Sequence, residues 1–118
     1  MINVGTTVPS WGAPMTDPGF DALVTLIEES GIDSIWFGDH LLLSARDAET
    51  YPYWDKFLLP VDDDWFDPIV CAAQVAARPS SLDLVFGVAL AAVRPPLELA
   101  RQVGSIARLA GGSKVVLG

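Results

Sequence analysis

The stretch Leu84-Val85-Phe86-Gly87-Val88-Ala89-Leu90 is apolar without interruption, and it narrows the possible folds more than any other part of the sequence. A strand with one face in water alternates apolar and polar side chains, whereas an unbroken run is what a strand covered on both faces looks like. Such strands belong to parallel sheets, whose neighbours need long crossover connections. The flanking sequence supplies them. Before the run, Asp67-Pro68 has an N-capping residue followed by the imino acid that suits a first helical position. Ile69, Val70, Ala72, Ala73 and Ala76 then form a narrow apolar stripe that ends near Arg78-Pro79. After it, Pro95-Pro96 opens a helix with Leu99, Ala100, Val103, Ile106, Ala107 and Leu109 on its apolar side. Gly111-Gly112 stops that helix before a last strand, Lys114–Gly118.

The same unit occurs nearer the N-terminus. Ile2-Asn3-Val4 and Thr6-Thr7-Val8 read as a first strand broken by Pro9. Asp17 and Pro18 predict a helix start, with Phe20, Leu23, Val24 and Ile27 at helical spacing and Gly31 as the left-handed closing residue. A second strand, Ile32–Gly38, runs into Asp39-His40. The long connection over residues 41–66 carries Tyr51, Tyr53, Trp54, Phe57 and Trp65, with Pro52 and Pro60 interrupting regular structure. Loops of this length in compact domains usually form functional walls or lids. The order β-α-β-loop-α-β-α-β predicts an α/β fold with a parallel sheet and no internal domain boundary.

Charge excludes several partners. Seven basic and fifteen acidic side chains among 118 residues leave a net charge of −8, while 51% hydrophobic residues argue against disorder. There is no Lys/Arg cluster to hold a phosphate backbone, and an anionic membrane surface would repel the chain, so neither nucleic acid nor membrane is an expected partner. No apolar run reaches the roughly 20 residues that cross a bilayer. The single cysteine, Cys71, cannot form an internal disulfide and reads as a small buried apolar residue. The N-terminus lacks a signal-peptide pattern, so the expected location is intracellular, in the cytoplasm.

Parallel α/β folds place ligands at the carboxyl ends of their strands. The candidates there are Asp39 and His40 after strand two, Ala89 and Leu90 at the end of strand three, and the aromatic connection beside them. A carboxylate and an imidazole can orient a substrate or exchange a proton. Equally, Asp39 can cap backbone amides and His40 can satisfy a buried carbonyl. The aromatic rings can stack on a flat heterocycle or pin the long loop to the rim. Asp62-Asp63-Asp64 lacks metal-site spacing and reads as a solvated turn. There is no glycine-rich phosphate loop, nucleophile elbow or zinc spacing.

Several phrases together resemble the luciferase-like flavin- or deazaflavin-dependent oxidoreductases, a (β/α)8 TIM-barrel family. They are Gly31–Leu41, Tyr51-Pro52-Tyr53, Trp65-Phe66-Asp67-Pro68, Phe86–Leu90, Arg94-Pro95-Pro96, Leu99–Val103, Leu109–Gly112 and Val115–Gly118, in the family's order along nearly the whole chain. The resemblance implies a redox cofactor at the C-terminal mouth of the barrel, either coenzyme F420 (the 8-hydroxy-5-deazaflavin) or FMN. The Tyr-Pro-Tyr connection is more similar to the F420 branch, whose chemistry is hydride transfer. By resemblance, Asp39, Ala89 and Leu90 are cofactor-binding residues and His40 is the catalytic residue, for proton transfer or substrate contact. The segment at Ala89-Leu90 is further expected to back the ring through a non-prolyl cis peptide. Two positions depart from the family pattern: Ala107-Arg108 stands where Leu-Asp is usual, and Ser113 before Lys114 where an Arg follows the paired glycines. Both lie away from the mouth.

A complete barrel takes about 250 residues. Residues 1–118 therefore correspond to the N-terminal half, four strands of eight. The expectation is a fragment of a longer protein, part of an oxidoreductase or monooxygenase acting on a small-molecule substrate and inactive as this chain alone. The alternative is a non-catalytic half-barrel that self-associates as a structural or regulatory subunit. Either way the chain should need the other barrel half or homo-oligomerisation. The −8 charge also leaves few cations, Arg46, Lys56 and Arg94 among them, for an anionic cofactor tail.

Overall fold

The computed structural model describes residues 2–16, 19–41 and 62–118. Four strands, β1 (Gly5–Val8), β2 (Ser34–Phe37), β3 (Asp83–Phe86) and β4 (Val115–Leu117), form one sheet in sequence order with every pair parallel. Among the described residues three α-helices connect them: α1 (Gly19–Glu29), α2 (Pro68–Ala76) and α3 (Pro96–Leu109). Short 3-10 turns lie at Ala13–Met15 and Ala91–Val93. Consecutive strand order has no reversal point, so the sheet is an arc of a singly wound (β/α) barrel rather than a doubly wound open sheet. The predicted fold class holds.

Alternation along the strands assigns the faces. Val8, Ile35, Phe37, Leu84 and Phe86 are buried in one cluster with Phe20, Val24 and Ile27 of α1, Cys71, Ala72 and Val75 of α2, and Leu99 and Ile106 of α3. Register places Thr7, Trp36, Val85 and Val116 in one row on the other face. There Trp36 and Val116 are 41% and 43% exposed, while Val85 between them is 8% exposed. The indole of Trp36 lies across this concave face, its Nε1 donating to Ser34 Oγ at 2.9 Å. A Cβ on Gly87 would sit 2.8 Å from Trp36 Cε3, and one on Gly5 would collide with the pyrrole side of the same indole. The two glycines make room for the ring.

Local signals in the sequence account for most element ends. Asp67 Oδ1 accepts the N–H of Ile69 at 2.8 Å and caps α2, whose first residue is Pro68. Gly31, at φ 72°, and Gly111, at φ 66°, take the left-handed conformation after α1 and α3. The expected cap of α1 at Asp17-Pro18 lies outside the described residues, as do Tyr51, Tyr53, Trp54 and Phe57.

Three expectations change. First, the apolar run 84–90 is a strand only through Phe86, and it turns at Gly87-Val88, joined by a cis peptide bond. That bond lies two residues earlier than the expected position at Ala89-Leu90. Second, the apolar stripe of α2 is shifted at two positions: Ile69, Ala72 and Ala76 are buried as expected, as is Cys71, but Val75 is buried too and Val70 is 64% exposed. A nine-residue helix inserted between β2 and β3 is oriented by its neighbours on the sheet, and the Ala-rich stripe gives little torque of its own. Third, Ala100, Ala107 and Leu109 are exposed on α3 although they continue its apolar side. Among the described elements α3 packs chiefly on α2 and β4, so only the Leu99–Ile106 edge of its stripe is covered.

Candidate functional site

The two ends of the sheet are built differently. At the amino end, carboxylates at the strand starts, Asp33 just before β2 and Asp83 as the first residue of β3, stitch neighbours together. Asp33 Oδ2 accepts the N–H of Val4, and Asp83 Oδ1 accepts that of Lys114, both at 2.8 Å. At the carboxyl end the polar groups are buried. Ser10 and Asp39, 3% and 5% exposed, are the buried polar side chains among the described residues, and both lie just beyond strand ends. Ser10 Oγ donates to Gly38 O at 3.2 Å.

The chain after β3 is fixed from both sides. Gly87 N–H donates to Phe37 O on β2 at 2.9 Å, and Ala89 N–H to Gly118 O beyond β4 at 2.8 Å. Leu90 N–H then donates to Asp39 Oδ2 at 2.9 Å. Asp39 thus does cap a backbone amide, but of the loop after β3 rather than of its own loop. Its carboxylate is held further by Arg94, with Nε to Oδ2 at 3.1 Å and Nη2 to Oδ1 at 2.9 Å. The same Nη2 reaches Asp67 Oδ2 at 3.0 Å. Paired N–H groups on a nearly dry carboxylate make strong, directional bonds. Hydrogen bonding to Asp39, together with Asp67, pushes the Arg94 guanidinium above its already high ordinary value, so it stays charged. Arg94 is therefore engaged by two carboxylates, in keeping with the scarcity of cations that the sequence shows for an anionic tail.

The second wall is aromatic. Trp11 and Trp65 stack with ring centroids 4.9 Å apart, and His40 meets Trp65 edge-on at 5.3 Å. Backbone bonds hold the pair: Gly12 N–H to Asp64 O at 3.0 Å and Phe66 N–H to Ser10 O at 2.8 Å. The end of the long connection is thus pinned to the loop after β1, while Asp62, Asp63 and Asp64 sit exposed on a turn. His40 is exposed.

The structure therefore brings Asp39 and Leu90 into contact, with Ala89 beside them, and sends His40 to the Trp65 wall. Sequence reasoning did not assign Asp67 beyond its cap, Trp11 at all, or Arg94 as the partner of Asp39. The available signal for Arg94 was its isolation: it is the one basic residue between β3 and α3 in an acidic chain.

A family model described as luciferase-like monooxygenase matches residues 10–113. The chain belongs to the luciferase-like monooxygenase family. Among solved structures, EDTA monooxygenase (EmoA) from Chelativorans sp. BNC1 matches with a TM-score of 0.63 at 21% identity, over 98% of this chain and 29% of that one. At that identity the likeness shows the fold. The chain spans less than a third of that monooxygenase's length. No curated protein matches. Among the described residues of this luciferase-like chain, no helix is long and apolar enough to cross a membrane and no group of His, Cys, Asp and Glu could hold a metal ion.

Flavin-type cofactors are used in this family. The rim residues fit the ring of such a group better than its tail. Gly87, Val88 and Ala89 offer backbone and small apolar side chains, with Val88 58% exposed, and His40 and Trp65 face the same end of the sheet. For the tail, the Arg94 network of one guanidinium and two carboxylates is net negative, and no other described cation lies in the loops at this end. Arg46 and Lys56 lie outside the described residues.

Proposed function

We propose that this rim is the share of a flavin- or deazaflavin-dependent oxidoreductase site contributed by the first four β/α units of a luciferase-like barrel. The observation that carries the reading is the Leu90 N–H to Asp39 carboxylate bond, which joins two candidate segments, from separate strands, at one point of the rim. Asp39, buried behind this face, orients the backbone at Ala89 and Leu90, and these two residues present the wall behind the ring. His40, exposed and steadied by Trp65, contacts substrate and moves a proton. When bound, the cofactor would supply hydride transfer, or oxygen insertion in the case of a flavin. The Tyr-Pro-Tyr resemblance favours coenzyme F420 over FMN, and we place the protein in the cytoplasm with a small-molecule substrate.

By itself the 118-residue chain has an anionic rim and one half of a barrel, and it should be inactive. Titration with riboflavin, FMN and the oxidised deazaflavin coenzyme, followed by amide NMR, tests this. The expected result is weak binding, well above micromolar, with shifts at His40, Trp65 and Leu90 and no gain from the phosphate of FMN. Micromolar affinity would end the claim of incompetence, and shifts confined to other residues would end the site assignment. A second reading, a self-associating half-barrel, is favoured by the exposed β4 edge, where Val116 and Leu117 are 43% and 46% exposed.

A further inference from the structure

One guanidinium holds three segments that are far apart in sequence. Arg94 lies in the connection between β3 and α3, 55 residues from Asp39 and 27 from Asp67. Through Asp39 it reaches the Leu90 amide, and through Asp67 the capped start of α2. Two residues before Asp67 is Trp65, the ring against which His40 rests. The backbone wall and the aromatic wall touch different strands, β2 and β3 in one case and the β1 loop in the other. Arg94 bonds Asp39 of the first and Asp67, two residues from Trp65, beside the second. Its own side chain is only 15% exposed, and Asp39's 2%, so the Asp39 arm is dry while the Asp67 arm, with Asp67 42% exposed, meets water.

We propose that Arg94 is the positioning residue of the rim, coupling the Leu90 backbone wall to the Asp67–Trp65 wall so that the two hold one relative placement. The proposal rests on the reading of the rim as the binding site for its use, but not for its test. A Lys at this position keeps the charge yet cannot bind Asp39 through two N–H groups while also reaching Asp67. An Asn at position 67 keeps an oxygen to cap Ile69 and loses only the ion pair with Arg94.

Amide hydrogen exchange in the 118-residue chain reads the coupling without any ligand. The Leu90 rate is taken relative to that of Leu84, whose N–H donates to Lys114 O at the far end of the sheet and reports global opening. Arg94→Lys should raise the Leu90-to-Leu84 ratio about tenfold, the loss of one strong charge-assisted bond. Asp67→Asn should raise it about threefold, the scale of a half-exposed ion pair, although position 67 does not touch Leu90. Both should alter the near-ultraviolet circular dichroism of the Trp11–Trp65 stack. If Asp67→Asn changes exchange only around Ile69 and leaves the Leu90 ratio within about twofold of the parent, Arg94 holds two independent bonds and the proposal is overturned. A parent chain that shows no ligand-induced shifts at the rim would remove the site reading while leaving this coupling standing.

Discussion

The two faces of the same four strands carry residues of similar hydrophobicity in very different surroundings. On the helical side Ile35, Phe37, Leu84 and Phe86 are at most 1% exposed, whereas one residue along the strands Trp36 and Val116 stand more than two fifths open. Side chains alternate between faces with a period of two, so neighbours in sequence report on opposite environments. The difference shows where the chain is complete as a packing unit. Three described helices close the outer face, and no described element closes the opposite one, the face a full barrel fills with layers from all its strands.

The largest effect belongs to the closed face. Phe37→Ala removes a ring that is fully buried and packed 6.1 Å from Phe86, centroid to centroid. It should cost about 3–5 kcal/mol in urea unfolding. A cost near 1 kcal/mol would mean that the helices do not seal this face.

Next comes a pH effect from the same core. Burial, and then the nearby Asp67 charge, push the Cys71 thiol from its ordinary 9.0 up to about 11. The folded-state value lies above the unfolded one, so the stabilisation is intact below pH 9 and disappears as pH rises through 11. Relative to Cys71→Ala, the parent should lose about 2 kcal/mol between pH 9 and pH 11. Parallel pH profiles for the two proteins would show a thiol with access to water.

The smallest effect belongs to the open face. Val116→Thr keeps the shape and adds a hydroxyl that water can satisfy, so unfolding free energy should change by less than about 0.5 kcal/mol. A larger loss that grows with protein concentration would reveal that a second chain covers the concave face, and light scattering on the parent would then report the oligomer.

Much of the architecture was written locally. Asp67-Pro68, Pro95-Pro96, Gly31 and Gly111-Gly112 mark boundaries because caps and left-handed turns act over a few residues and depend on side-chain type alone. Asp39-His40 could be placed at a strand end for the same reason. The strand end at Phe86 could not be read this way, since Gly87-Val88-Ala89-Leu90 is as apolar as what precedes it. What stops the strand is the set of partners those amides find on β2, at Gly118 and on Asp39.

The amino-acid sequence by itself determined the alternation of strands and helices, their parallel order and the two clusters of residues at the carboxyl ends, because periodicity and capping are short-range. Only the tertiary structure decided that Asp39 is an internal ligand of Leu90 and Arg94, that His40 rests against Trp65, and that Arg94 also reaches Asp67. Those outcomes depend on which charges meet across separations of 27 to 55 residues, and a carboxylate's preference for a guanidinium gives no indication of which one the fold will bring within 3 Å.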